Sequence, residues 1–217
     1  MAHGLAMSAI LFCLLHLAAG AAAADRYSSV SALRSAQVEG KDFRVDVEDR
    51  QAAVTVLAIH GGDIEKGTSE IARALAGTDW NLYDFEGLLG PKSFKVLHVT
   101  ASNFDDPPAL GLASAALVAV TLHGESASQS EVCVGGGSSR LRKAAAEALK
   151  GAGFSVEQPC RRLPGKDSAN IVNVARKGGL QLELNSDVRQ RLISDEALRA
   201  RFAAAVREAV SRFLRKS

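Results

Sequence analysis

Two histidines and a carboxylate stand where a metal ion could be held. The stretch "VLAIHGGDIEKGTSEIA" (56–72) carries His60, Asp63 and Glu65 directly after a run of buried-type residues. His123 closes a second such run, "LVAVTL" (117–122). Between His60 and Glu65 lie Gly61 and Gly62, which permit a tight turn that brings the carboxylate back beside the imidazole. Two His and one carboxylate with an open fourth position form the ligand set of a hydrolytic zinc site. Zinc there would lower the pKa of a water molecule and polarise a carbonyl. One such histidine alone reads as a satisfied buried side chain. Two strand-end histidines with a glycine-turned carboxylate favour the metal, so His60, Glu65 and His123 are the expected ligands. Asp63 is either a turn residue or a hydrogen-bond partner of His60, and stays outside that set.

These residues need a scaffold to bring them together. Residues 53–59 are apolar and β-rich, and 68–76 read as a helix with Thr68 or Ser69 as N-cap and Ile71 and Leu75 one turn apart. Residues 95–100 read as a short strand, Pro107-Pro108 as the opening of a helix, and 117–122 as a central strand. Residues 131–134 form a further strand ended by Gly135-Gly136-Gly137. Ser138 can cap a helix carrying Leu141, Ala145 and Leu149, stopped by Gly151 and Gly153. A short strand is expected at 154–157, and "LQLEL" (180–184) alternates as a strand would, with Gln181, Glu183 and Asn185 on one face. From Asp195 onward Leu198, Phe202, Val206, Val210 and Phe213 form one helical stripe. Near-continuous apolar strands alternating with helices predict a three-layer α/β/α fold with a mixed, largely parallel sheet. In such sheets ligands bind beyond the carboxyl ends of the strands, which is where His60 and His123 fall. Glu183 is open between two readings: a carboxylate reaching an activated water, and a solvent-facing strand residue.

The chain has 217 residues, 47% hydrophobic and 23% charged, which suits one globular domain. Its net charge of +2 is too small to argue for nucleic acid. Residues 1–24 hold no Lys, Arg, Asp or Glu, and an apolar stretch leads into Ala22-Ala23-Ala24. That pattern is expected of a secretory signal peptide cleaved near Ala24, leaving one hydrolase domain over 25–217, extracellular or periplasmic, monomeric and not membrane-bound. Cleavage would remove Cys13 and leave Cys133 and Cys160, either as one disulfide or as two separate buried thiols.

The chain also resembles a known family. "YSSVSAL", "EGKDFRV", "HGGDIEKGTSEIA", "YDFEGL", "FDDP", "LHG", "VGG" and "GLQLEL" occur in the order used by the poly-γ-glutamate hydrolases of bacteria and their phages, relatives of the zinc carboxypeptidases. The resemblance spans about Tyr27 to Arg189. It implies a zinc carboxypeptidase-like fold and protease-type chemistry, with His60, Glu65 and His123 as ligands and Glu183 as general base and acid. It departs at Asn103, where histidine is expected before "FDDP", and at Ala169, where arginine is expected.

What the resemblance implies about substrate is a polyanionic γ-glutamyl polymer or a small acidic peptide. Nine Lys or Arg lie between Arg140 and Lys177, opposed only by Glu147, Glu157 and Asp167. A cationic flank suits a chain of free α-carboxylates. Arg140, just after the 135–139 turn, is the expected carboxylate clamp. Asn170 and Asn173 are polar substrate contacts or helix caps. Two alternatives stand beside this reading. One is a zinc amidase or carboxypeptidase on another acidic N-acyl amino acid or a cell-wall peptide. The other is an inactive secreted binding module of the same fold.

Overall fold

The structure, a computed structural model, describes residues 1, 25–126 and 131–216. The signal-peptide expectation for 1–24 therefore lies outside the described residues, apart from Met1. Seven strands, β1 (Phe43–Glu48), β2 (Val54–Gly62), β3 (Asn81–Gly87), β4 (Val118–Glu125), β5 (Val132–Gly135), β6 (Val156–Glu157) and β7 (Gly178–Asn185), form one sheet in the order β1-β3-β2-β4-β7-β5-β6. The four pairs β2–β3, β2–β4, β4–β7 and β5–β6 are parallel, while β1–β3 and β5–β7 are antiparallel. The mixed, largely parallel sheet is as expected.

Alternation along the strands builds two cores. Val54, Val56 and Ala58 of β2, Val118, Val120 and Leu122 of β4, and Leu180, Leu182 and Leu184 of β7 face one side. There they meet α2 (Thr68–Ala76), α5 (Ser139–Gly151), α6 (Ser186–Ser194) and α7 (Glu196–Arg215). The opposite face of the sheet, with Leu57, Ile59, Tyr83 and Phe85, is covered by α1 (Val30–Arg34), α3 (Ser93–Leu97) and α4 (Pro107–Ala115). Burial of the two apolar faces holds the three layers together. No helix among the described residues is long and apolar enough to cross a membrane.

Local signals explain most boundaries. Ser138 caps α5 by accepting from the Leu141 N–H, and Asn185 and Asp195 do the same for α6 and α7. The strand expected over 95–100 is not formed. Ser93 to Leu97 is helical, because Ser93 Oγ takes the Leu89 N–H and the turn at Gly90–Lys92 runs into α3. Leu97 and Val99 are buried in the second core without pairing to a strand. β3 replaces it in the sheet.

Cys133 on β5 and Cys160, just after β6, form a disulfide. Of the two alternatives left by the sequence, the pairing of β5 with β6 brings about the bridge. Mass-spectrometric mapping without reductant should recover the Cys133 and Cys160 peptides covalently linked, and reduction should cost about 3 kcal/mol of stability. Unlinked peptides carrying free thiols would dispose of the bridge.

Candidate active site

The turn after β2 is built to place Glu65. Gly62 sits at φ 58°, a left-handed conformation that favours glycine. A Cβ at Gly61 would lie 2.2 Å from Asp84 Oδ1 and 2.3 Å from Ser69 Oγ. Those two atoms are themselves bonded at 2.8 Å, and Ser69 Oγ also takes the Gly62 N–H. The Glu65 N–H then donates to the His60 carbonyl at 2.9 Å, and Thr68 Oγ1 donates to the carbonyls of both. One Glu65 oxygen accepts the Gly124 N–H at 2.7 Å, and the other lies 3.1 Å from His60 Nδ1.

Strict alternation would send His60 to the face of Val54, Val56 and Ala58. The register between β2 and β3 shifts between Ala58 and Gly61. His60 instead meets His123, with Nδ1 atoms 3.2 Å apart. His123 Nδ1 is also 3.9 Å from Glu65 Oε2. His60 Nε2 is taken up by the Val99 carbonyl at 2.9 Å, which leaves Nδ1 to carry the lone pair into the cluster. His123 pairs in register with Glu183 across β4 and β7. Gln181, two residues earlier on the same face, donates to Glu183 Oε1 at 2.8 Å and accepts from Asn170 Nδ2 at 2.8 Å.

The side chains of His60, Glu65, His123 and Glu183 are all buried, and each acts on the charge of its neighbours. Burial opposes the charged form of Glu65, but His60 and the Gly124 amide outweigh it and hold the carboxyl at about 2. Burial pushes His60 down, and Glu65 more than restores it, so its affinity for a proton is raised. His123 is lowered to about 3 by burial and by the neighbouring His60. Glu183 is raised well above the carboxylate range by burial, then by repulsion from Glu65 and Glu125.

This arrangement fits a metal cation. Two ligand atoms about 2.1 Å from a tetrahedral zinc lie roughly 3.4 Å apart. The separations of 3.1 and 3.2 Å around His60 Nδ1 are close to that span. With His123 Nδ1 turned to the cluster, Nε2 is the N–H of the neutral ring and lies buried on the far edge without a hydrogen-bond partner among the described residues, so the fit to a cation is carried by the spacing of His60 Nδ1, His123 Nδ1 and the Glu65 oxygens. A second trio overlaps the first: His60, Glu65 and His98 also bring donor atoms within 4.8 Å of one another.

The cluster opens into a cleft of about 1730 Å³. Asn170 lines it, and its side chain also caps a short turn by accepting the Val172 N–H. Asn173 does not line it; this side chain ties the Gly137 amide to the Gly165 and Asp167 carbonyls. Arg140 is held elsewhere, over the Phe213 ring and bonded to the Lys216 carbonyl, in the layer of α5 and α7. The cations on the cleft are Arg26, Lys66, Lys95, Arg162, Lys166 and Arg189. Asn103 and Ala169 are exposed and outside the lining.

Two residues of the site gave no recognisable signal in the sequence. His98 was hidden in a segment read as a strand. Arg189 arrives from α6 and donates to the carbonyls of Lys66, Glu125 and Leu184. Its guanidinium occupies the space a Cβ at Gly124 would need, 2.3 Å from Nη1, which gives a steric reason for glycine after His123.

A family model described as poly-gamma-glutamate hydrolase matches residues 27–215. The chain belongs to the poly-gamma-glutamate hydrolase family. Within this family of hydrolases it is 35% identical over 182 residues to the SPbeta prophage-derived UPF0714 protein YoqZ of Bacillus subtilis (strain 168), covering 82% of this chain. It spans 65% of the length of that relative. It is 34% identical over 186 residues to the UPF0714 protein YndL of the same organism, covering 82% of this chain and 71% of YndL. Among solved structures, a bacteriophage poly-gamma-glutamate hydrolase superposes with a TM-score of 0.81 at 30% identity, over 89% of this chain and all of the other. A zinc-free apo form of YndL superposes with a TM-score of 0.74 at 32% identity, over 88% and 98%. The three-layer poly-gamma-glutamate hydrolase fold is therefore shared across chains that differ at about two-thirds of their aligned positions.

Proposed function

We propose that the protein is a secreted, zinc-dependent hydrolase that cleaves the γ-glutamyl amide bonds of poly-γ-glutamate. The observation that carries this reading is the convergence of His60, Glu65 and His123 beside Glu183, on neighbouring parallel strands at the floor of one cleft. The zinc-free form of YndL supports the choice of metal. His60, Glu65 and His123 would hold it, and zinc when bound supplies Lewis acidity for a carbonyl and for water. His60 Nδ1 must give up any proton for that, so loading competes with acid. Glu183 takes the proton of the attacking water and returns it to the leaving amine. Its raised proton affinity in the metal-free site favours the form that returns the proton to the amine, and Gln181 holds the carboxyl in place through Oε1. The apolar leader in the sequence and the Cys133–Cys160 bridge support export to an oxidising compartment.

Recognition of the polymer falls to cations on the cleft, chiefly Lys95 and Lys166, and not to Arg140. A free α-carboxylate on every residue makes this recognition electrostatic and screened by salt, over about 8–10 Å at physiological ionic strength. Lys95→Gln and Lys166→Gln should raise KM on poly-γ-glutamate several-fold, roughly 1 kcal/mol each or less for exposed charges. Arg140→Gln should leave KM unchanged, and wild-type cleavage should weaken as salt rises. Equal rates on the polymer and on its neutral ester, indifferent to salt, would leave a hydrolase acting on some other acyl amino acid.

A further inference from the structure

His98 is held on three sides. Its ring lies between Phe94, at 4.8 Å between centroids, and His60, at 4.1 Å. Its Nδ1 edge meets Asp25 Oδ1 at 2.6 Å. The other Asp25 oxygen accepts the Thr100 N–H at 2.6 Å, so one carboxylate ties down both the ring and the backbone two residues beyond it. An ionised carboxylate only accepts hydrogen bonds, so the proton of this contact sits on His98 Nδ1. In the neutral ring Nε2 then carries the lone pair. That edge remains on the cleft, 3.8 Å from Glu65 Oε1 and beyond hydrogen-bonding reach of it.

A half-buried imidazole fixed by two rings and a carboxylate, on the cleft beside the cluster of His60, Glu65 and His123, is built to receive a donor. His98 as a fourth metal ligand would close the open position that a hydrolytic site keeps. The donor that a polyamide presents in such a place is its backbone N–H. We propose that Asp25 is a positioning residue which sets the tautomer of His98, and that His98 Nε2 accepts an amide N–H of the bound substrate next to the scissile bond. The amide contact rests on the function proposed above; the control of the tautomer by Asp25 does not.

Asp25→Asn separates the two roles. Asparagine offers one acceptor oxygen where aspartate offers two. With that oxygen kept by the Thr100 N–H, its NH₂ faces His98 Nδ1 and forces the proton to Nε2, turning the cleft-facing acceptor into a donor. Nitrogen-15 spectra of the metal-free protein, labelled in histidine, should show His98 protonated on Nδ1 in the wild type and on Nε2 in Asp25→Asn. With zinc loaded, Asp25→Asn and His98→Gln should each raise KM on poly-γ-glutamate about 10-fold, the scale of one well-aligned hydrogen bond, and should change kcat less. Zinc should stay at one per chain in both. A wild-type ring protonated on Nε2, or a tautomer unmoved by Asp25→Asn, overturns the role of Asp25. Loss of zinc from His98→Gln makes His98 a ligand and overturns the substrate contact. A wild-type protein with no activity on the polymer overturns the proposed function and the amide contact with it, while the spectra still decide the role of Asp25.

Discussion

Glu183→Gln will load zinc as the wild type does and turn over at least about 100-fold more slowly, the scale of a lost general acid–base group. Glutamine keeps the length and shape of the side chain, and its carbonyl can still accept from Gln181 Nε2, the contact now made at 2.8 Å. It cannot take a proton from water. The variant should fold without penalty, because the wild-type group is stressed in the native state. Burial first, and then Glu65 and Glu125, raise its proton affinity above the ordinary value of 4.5. A carboxyl whose folded pKa is raised stabilises the fold fully below its unfolded pKa and loses that contribution as pH rises through the folded one. The metal-free variant should therefore gain on the metal-free wild type in thermal stability as pH is raised above the ordinary carboxylate range. Zinc content, melting temperature and kcat are the three measurements. Near-normal kcat with full zinc occupancy would remove Glu183 from the mechanism. Low kcat with low zinc would mean that it supports the metal instead.

The sequence was most legible where one residue type does one job. The helix expected over 68–76 is α2, and its limits agree because Gly67 and Gly77 bracket an amphipathic stretch. Ser138 caps α5 as expected because a side-chain oxygen ahead of a periodic apolar run has few other uses. β3 was not legible. "NLYDFEG" puts Asp84 and Glu86 inside a wholly buried strand, and the apolar pattern reappears only once Arg73 on α2 is known to meet both acids. His98 was missed for a related reason. Its importance comes from Asp25, 73 positions away in sequence, and from the ring of His60. His60 and His123 could be found because they close apolar runs. Arg140 misled because position after a strand-ending turn says nothing about which layer a helix joins, and α5 packs against α7 on the sheet face opposite α1, α3 and α4. The side-chain path from Asn170 through Gln181 to Glu183 shows the same limit: period-2 alternation put Gln181 and Glu183 on one face, but nothing local placed Asn170 beside them.

His123→Ala will lose zinc and activity together. Three donors meet around His60 Nδ1, and only His123 brings an atom from β4, the strand that joins the metal cluster to Glu183 on β7. A residue that merely orients a ligand costs about 10–100-fold in metal affinity when replaced; removal of a ligand should exceed that. The effect can be read without any substrate. Zinc binds the native state and stabilises it by RT ln(1 + [Zn]/Kd), so added zinc should raise the melting temperature of the wild type and leave that of His123→Ala unchanged. In metal-free form the variant should be no less stable than about a small cavity allows, since the ring it loses has a buried nitrogen with no partner among the described residues. His98→Ala is the informative comparison, because His98 competes for the same place through the trio His60, Glu65 and His98. Zinc retained in His98→Ala and lost in His123→Ala assigns the third ligand to β4 and leaves Nε2 of His98 facing the cleft as an acceptor. The reverse pattern would move the metal toward Asp25 and away from Glu183, and a base on β7 could then no longer act on water at the site.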